Sequence, residues 1–485
     1  MTFLDDAAWQ DNIFLSGWHP GGAGAAPVVE PATGAVLAQS GRASVADVSE
    51  AARAATDAQR DWAALPFNQR AAILRKAGDL FVEHAPELAH WLIRESGSIG
   101  PKADLELHIA AEECFEAAAL ASHPTGEILR SEMPRLSFSR RVPAGVVGVI
   151  APFNFPLILS IRSVAPALAL GNAVILKPDP RTAVCGGVIL ARVFEQAGVP
   201  AGVFSMLPGA HDVGEALVTE PLVHVIAFTG STQAGRRVGS LGAEHLKRVH
   251  LELGGNSALI IMGDVDLEKA VSVGAFGSFM HQGQICMTTG RHLVDAKIAK
   301  DYAALLAEHA NHLPVGDPTT GQVALGPLID ERQRDRVHSM VTESIGDGAT
   351  LLAGGTFENL YYRPTVLSDV SASSIAYCEE VFGPVAPVIA FHSDDEAVAL
   401  ASASPYGLSL GILSRDGLHA LELASRIPSG AIHVNDQTVG DEAVIPFGGI
   451  GASGNGSRVG GQANLDAFTE TQWVTAQSVL PDYPF

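Results

Sequence analysis

A chain of 485 residues, 47% of them hydrophobic, can build large cores, and on length alone it divides into two or three domains; disorder is excluded. Its formal charge of −22 argues against an extended nucleic-acid surface and against attraction to anionic membranes. Four widely spaced cysteines, Cys114, Cys185, Cys286 and Cys378, form neither a paired-cysteine metal motif nor a dense disulfide framework, which suits a reducing compartment. The opening MTFLDDAAWQDN carries acids before any base, and no apolar run reaches the roughly 18–20 residues of a membrane helix, so a soluble, cytoplasmic protein is expected.

Along the chain, residues 44–62 and about 68–95 are rich in helix formers, with Leu74, Ala77 and Phe81 at near-helical spacing. LSFSRRVPAG at 136–145 alternates polar and apolar residues. From 142 onward the texture changes: VVGVIAP reads as a strand, PLILSIRSVAPALALG as a helix and NAVILKP as a strand, the pattern of a parallel βαβ unit. RTAVCGGVILARVFEQAG predicts the next helix, FSMLPG a short strand, residues 213–218 a helix, VHVIAFTG a strand, and a further helix begins at Ser231. The apolar segments RVHLELGG and SALIIM flank a domain boundary placed near 255, beyond which 267–280, 291–308 and 331–346 carry helical patterns. The tail FTETQWVTAQSVL is again rich in strand formers. With 136–145 it can make sheet edges, which proteins cover or pair, so subunit association is expected.

HQGQICMTTG at 281–290 poses the functional question. A lone cysteine is ordinarily a small buried hydrophobe, yet its free pKa of about 8.5 also leaves a useful thiolate fraction near neutrality for nucleophilic attack. The context decides. APFNFP at 151–156, ILKP at 175–178, FTGST at 228–232, ELGG at 252–255, GQIC at 283–286, EEVFGPV at 379–385 and PFGG at 446–449 span nearly the whole chain. Together, in this order, they resemble the hydrolytic NAD(P)-dependent aldehyde dehydrogenase superfamily, most of all its bacterial benzaldehyde and vanillin dehydrogenase branch.

That resemblance implies an α/β fold with a Rossmann-like cofactor domain (1–125 and 144–254), a second α/β catalytic domain (255–455) and a small β arm for oligomerisation or bridging (126–143 and 462–485). It implies that Cys286 attacks an aldehyde carbonyl, that Asn154 and the Cys286 amide stabilise the resulting oxyanion, and that Glu252 activates water to release a carboxylic acid. Family members that hand the acyl group to coenzyme A typically lack this glutamate, which weakens that reading.

For the cofactor, NAD or NADP, the resemblance points to Lys177 at the adenosine ribose, Gly230 and Ser231 at the pyrophosphate, Glu380 rather than Glu379 at the nicotinamide ribose, and Phe382 beside the nicotinamide. NAD-preferring relatives often carry a glutamate three residues after the lysine. Pro180 stands there, which makes NADP use credible, although Asp179 can partly replace the missing acid. No catalytic metal is expected.

Phe155, Ile158, Leu159, Ile285 and Met287 match the family's substrate tunnel, and their apolar character suits an aromatic or medium-sized aldehyde such as benzaldehyde. Arg162 interrupts that pattern. Pairing with a local acid is the favoured reading, and recognition of a phenolate or carboxylate at the far end of the substrate is the other. Pro446 and Phe447 either shape the mouth of the site or pack a loop. The partners expected are an aldehyde and water, in a homodimer or homotetramer that engages neither nucleic acid nor membrane. The competing readings are a semialdehyde dehydrogenase and a catalytically silent protein of the same fold; the presence of Cys286, Glu252 and Asn154 argues against the second.

Overall fold

The computed structural model describes residues 2–485. Its first sheet has seven strands in the order Arg248–Glu252, Val225–Thr229, Val146–Ile150, Ala173–Lys177, Phe204–Met206, Asn12–Phe14 and Trp18–Pro20. The first five run parallel, and the last two add an antiparallel edge. VVGVI and AVILK are buried along their whole length because helices cover both faces, which is why they read as continuous apolar runs rather than as alternation. On one face the helix Pro156–Ala169 packs Leu157, Ile161 and Val164 against Val147, Val149 and Leu176. On the other, Val45–Ala64 and His211–Thr219 bring Val48, Ala52, Val213 and Leu217 against Val146, Ile150 and Ile175. Ser44 and Asp47 start the first of those helices with a reciprocal capping box.

Two local readings change. RTAVCGG does not begin a regular helix: it forms a 3-10 turn, Pro180–Thr182, and a π-helical turn, Val184–Val188, before the α-helix Ile189–Ala197. The buried Glu95 carboxylate fixes this entry by accepting from the Val184 amide at 2.9 Å and the Cys185 amide at 2.6 Å. Residues 291–308 are not one helical pattern either, for Thr289–Asp295 is a strand and only Ala299–His312 is helix. HLV is too short for its periodicity to separate the two states, and pairing with Ser257–Ile261 and Val385–Phe391 settles it as strand. The helix Gly100–Leu120 has no clear apolar pattern in the sequence, because Lys102, Glu106 and Glu113 interrupt it although all three are buried.

The second sheet also has seven strands, ordered Thr350–Ala353, Thr365–Ser368, Val385–Phe391, Thr289–Asp295, Ser257–Ile261, Ser409–Leu413 and Ala431–Val434, all parallel but the first. The chain crosses from one sheet to the other through residues 253–256 alone. The tail strand Thr469–Ala476 pairs antiparallel with Leu136–Pro143, which also pairs with Gly126–Ile128. Thr469–Ala476 is an edge strand, with Trp473 66% exposed. Among the described residues no helix is long and apolar enough to cross a membrane.

Candidate active site

In open parallel sheets ligands collect at the carboxyl ends of the strands. Four adjacent strands of the first sheet end at Glu252, Thr229, Ile150 and Lys177, so Glu252, Gly230 and Ser231, Asn154, and Lys177 lie along one edge.

Cys286 comes from the opposite side, between the 3-10 turn Met280–Gly283 and the strand Thr289–Asp295. His281 and Gln282 hold left-handed backbone there, at φ 48 and φ 58, a conformation that persists only when the surroundings enforce it. The Gln282 side-chain amide supplies part of that restraint by donating to Pro327 O at 2.8 Å and Gly97 O at 3.2 Å. Cys286 is partly exposed and packs against an apolar cluster containing Phe155, Ile158, Ile285, Met287, Leu408 and Phe447. Burial pushes its thiol up to about 12, reinforced by the Glu380, Asp441 and Glu252 carboxyls and opposed by the Met287 amide. Burial and these three carboxyl groups thus all oppose ionisation of this thiol.

Asn154 is 3% exposed and donates from Nδ2 to Gln284 O at 2.8 Å, two residues before the cysteine. That bond uses one of the two amide N–H groups and leaves the other free to donate. The loop is fixed from below by an ion pair on Gly100–Leu120, absent from the sequence reading. Lys102 Nζ donates to Glu106 and, at 2.8 Å, to the Asn154 carbonyl, while Glu106 Oε2 accepts from the Leu157 amide at 3.0 Å.

Glu252 is 5% exposed, and neither carboxyl oxygen has a hydrogen-bond partner. Burial pushes it up to about 8, against the opposing pull of the Arg458 and Arg162 charges. The glycines that follow it are demanded by close packing: a Cβ on Gly254 would overlap the Glu380 carboxyl, and one on Gly255 would overlap the Cys286 carbonyl.

The same edge offers groups suited to a dinucleotide. Ser231 caps the 13-residue helix Thr232–Glu244, its Oγ accepting from the Ala234 amide at 3.3 Å, so that the helix amino terminus presents free N–H groups and positive potential. The Lys177 ammonium is buried with only Pro178 O as partner, at 3.3 Å, which leaves it donors to spare. Glu380 turns inward to accept from the Gly255 amide at 3.1 Å, and burial pushes it up to about 7, whereas Glu379 is exposed and reaches toward Tyr406. Phe382 sits at φ 54 with its ring edge-on to Phe153, 5.9 Å away. Asp179 does not stand free: Arg181 holds it through two side-chain bonds of 2.9 Å and also reaches Asp330 at 2.8 Å. Burial works to raise the Asp179 carboxyl, but Arg181 keeps it below the ordinary range.

All five expected tunnel residues, Phe155, Ile158, Leu159, Ile285 and Met287, join the cluster that holds Cys286, together with Ile109, Leu408, Met280, Val439 and Ile445, which the sequence did not single out. Phe447 belongs to it too. Arg162 is paired, as the favoured reading had it, with Glu113 at 3.1 Å and Asp441 at 2.5 Å. Among the described residues no group of three or more His, Cys, Asp or Glu is arranged to hold a metal ion.

Known proteins resemble this chain along nearly its whole length. The description "Aldehyde dehydrogenase family" matches residues 18–474. The chain is 63% identical over 486 residues to a vanillin dehydrogenase of Amycolatopsis sp., covering all of both sequences. It is 49% identical over 478 residues to the NAD(+) benzaldehyde dehydrogenase of Pseudomonas putida, covering 98% of each. Among solved structures, a salicylaldehyde dehydrogenase from Pseudomonas putida G7 complexed with salicylaldehyde superposes with a TM-score of 0.94 at 34% identity, over 98% of this chain and 99% of that one.

Proposed function

The chain belongs to the aldehyde dehydrogenase family, and from that premise we propose that it oxidises an aromatic aldehyde to its carboxylate, with NAD or NADP as hydride acceptor and water as acyl acceptor. The observation that carries the reading is that Asn154, bonded two residues before the cysteine, and an unpartnered Glu252 both neighbour Cys286, which packs against a single apolar cluster. The test is to incubate the protein with benzaldehyde and NAD without coenzyme A. Benzoate and reduced cofactor in equal amounts support the reading, and a requirement for coenzyme A overturns it.

In this account Cys286 gives up its thiol proton to solvent as its sulfur adds to the carbonyl carbon, and the free Asn154 N–H and the Cys286 amide receive the charge that develops on oxygen. A nicotinamide held at this edge would supply the hydride acceptor needed for the adduct to become a thioester. Glu252 then takes a proton from water as that water attacks the acyl carbon, releasing carboxylate and restoring the thiol. Lys177, the amino terminus of Thr232–Glu244 and Glu380 would hold the dinucleotide; each has donor or acceptor capacity that the protein leaves unused. Asn154→Ala is expected to lower kcat by roughly 10²–10³-fold, the usual effect of losing one oxyanion donor, with cofactor affinity and the circular dichroism spectrum unchanged. A kcat within about twofold of wild type would remove Asn154 from this role.

Cofactor choice turns on position 180. Asp179 is tied to Arg181, which it shares with Asp330, so it does not stand as a free acid after Lys177, and a 2′-phosphate meets less repulsion than a glutamate at 180 would bring. Pro180→Glu is expected to lower the NADP-to-NAD ratio of kcat/KM by roughly five- to tenfold at fixed ionic strength. An unchanged ratio in the folded variant would contradict this account.

The division into a cofactor domain (1–125 and 144–254), a catalytic domain (255–455) and an arm (126–143 and 462–485) is proposed on the same footing. The edge strand Thr469–Ala476 supports assembly as a homodimer or homotetramer, which sedimentation of the intact chain and of a chain ending before 469 will test.

A further inference from the structure

We propose that Arg162 forms a subsite for an uncharged ring oxygen: its unused guanidinium N–H groups donate to a hydroxyl or methoxy oxygen on an aromatic aldehyde, while its two carboxylate partners turn anionic substrates away. The proposal deepens the aromatic-aldehyde reading and rests on it.

Arg162 follows Ile158 by four residues on the helix Pro156–Ala169, so the two share a face, and Ile158 belongs to the cluster that holds Cys286. Its other neighbours adjoin that cluster as well. Glu113 lies four residues after Ile109 on Gly100–Leu120, Asp441 lies two residues after Val439, and the guanidinium sits 5.0 Å from the centre of the Phe447 ring. Arg162 thus adjoins the apolar cluster against which the nucleophile packs.

The guanidinium is 3% exposed. Nε donates to Glu113 at 3.1 Å and Nη2 to Asp441 at 2.5 Å, but Nη1 is buried with no partner. Buried donors are nearly always paired, and an idle one adjoining the cluster that holds the nucleophile is free to take an acceptor from a substrate. The charge count decides what kind of acceptor it takes. One cation already faces two carboxyl groups, so a phenolate or a substrate carboxylate brings repulsion that the single guanidinium does not offset. A neutral oxygen accepts the N–H at no such cost. A substrate with a methylene in that place leaves Nη1 unpaired, which is how a hydrogen-bonding site rejects an apolar analogue.

The test compares kcat/KM for 3- and 4-methoxybenzaldehyde with that for 3- and 4-ethylbenzaldehyde, pairs that differ by one oxygen and cannot ionise, and includes 4-carboxybenzaldehyde. Wild type is expected to favour at least one methoxy aldehyde over its ethyl counterpart by about tenfold or more, and to use the carboxylate poorly. Arg162→Met should bring that ratio to within about twofold of unity. If the unpaired acids prevent folding, Glu113→Gln, Arg162→Met and Asp441→Asn combined remove all three charges together and are read the same way. A methoxy-to-ethyl ratio that is the same with and without Arg162, or preferred turnover of 4-carboxybenzaldehyde, overturns the subsite alone. Turnover confined to linear aliphatic aldehydes removes the aromatic reading and the subsite with it.

Discussion

Cys286→Ala is expected to abolish aldehyde oxidation, by roughly 10⁴-fold or more in kcat/KM, while the chain stays folded and binds cofactor. The substitution removes one partly exposed sulfur from an apolar cluster, a small loss of packing, so the effect is chemical rather than structural. No other cysteine can take over. Cys114 and Cys185 are fully buried, and burial pushes both thiols well up, with Glu95 adding to the effect at Cys185. Cys378 is exposed, and its thiol contacts only Ala372 O, at 3.3 Å. Reduced-cofactor absorbance checks turnover, and a fluorescence titration with NAD checks that the fold survives. A folded variant at the wild-type rate would contradict the assignment.

Glu252→Gln separates the two halves of the reaction. The first turnover is expected to deliver reduced cofactor, after which deacylation slows by roughly 10²–10⁴-fold, since the amide keeps the size of the side chain but cannot take a proton from water. The pH dependence follows from burial. With Glu252 raised to about 8, the carboxylate fraction grows as pH rises, so wild-type deacylation is expected to climb about tenfold per pH unit below 8 and to level off above it. The variant lacks that slope. Stability carries the opposite sign. A carboxyl whose folded pKa lies above its ordinary 4.5 contributes its full stability below 4.5 and loses it as pH rises toward 8, because ionisation is then favoured in the unfolded chain. The fall in apparent Tm between pH 5 and pH 9 is therefore expected to be smaller in Glu252→Gln than in wild type. A rapid-quench measurement across this range, with parallel melts, checks both; a pH-independent wild-type deacylation rate would exclude Glu252 as the base.

What the sequence disclosed depended on whether the signal was local. VVGVI, NAVILK and VHVIAFTG are continuous apolar runs between turns, so the strands that carry the loop of Asn154, Lys177 and Gly230 could be read directly. The helix Gly100–Leu120 could not, because its buried Lys102, Glu106 and Glu113 look like surface residues until their partners are known. Those partners are distant: Lys102 meets the Asn154 carbonyl 52 residues on, and Arg162 meets Glu113 and Asp441, 49 and 279 residues away. Acid–base pairing on that scale leaves no periodic trace in one chain. Glu380 and Glu379 stand between the two cases, for the resemblance already preferred Glu380, and the Gly255 amide supplies the physical reason that it is the inward one.

Mass spectrometry of the acylated protein tests the central claim most directly. Glu252→Gln is mixed with benzaldehyde and NAD, quenched in acid after one turnover and digested. The account predicts one benzoyl group per chain, on the peptide carrying Cys286, in an amount equal to the reduced cofactor formed. Reduced cofactor without any acylated peptide, or with the benzoyl group on Cys114, Cys185 or Cys378, would contradict it.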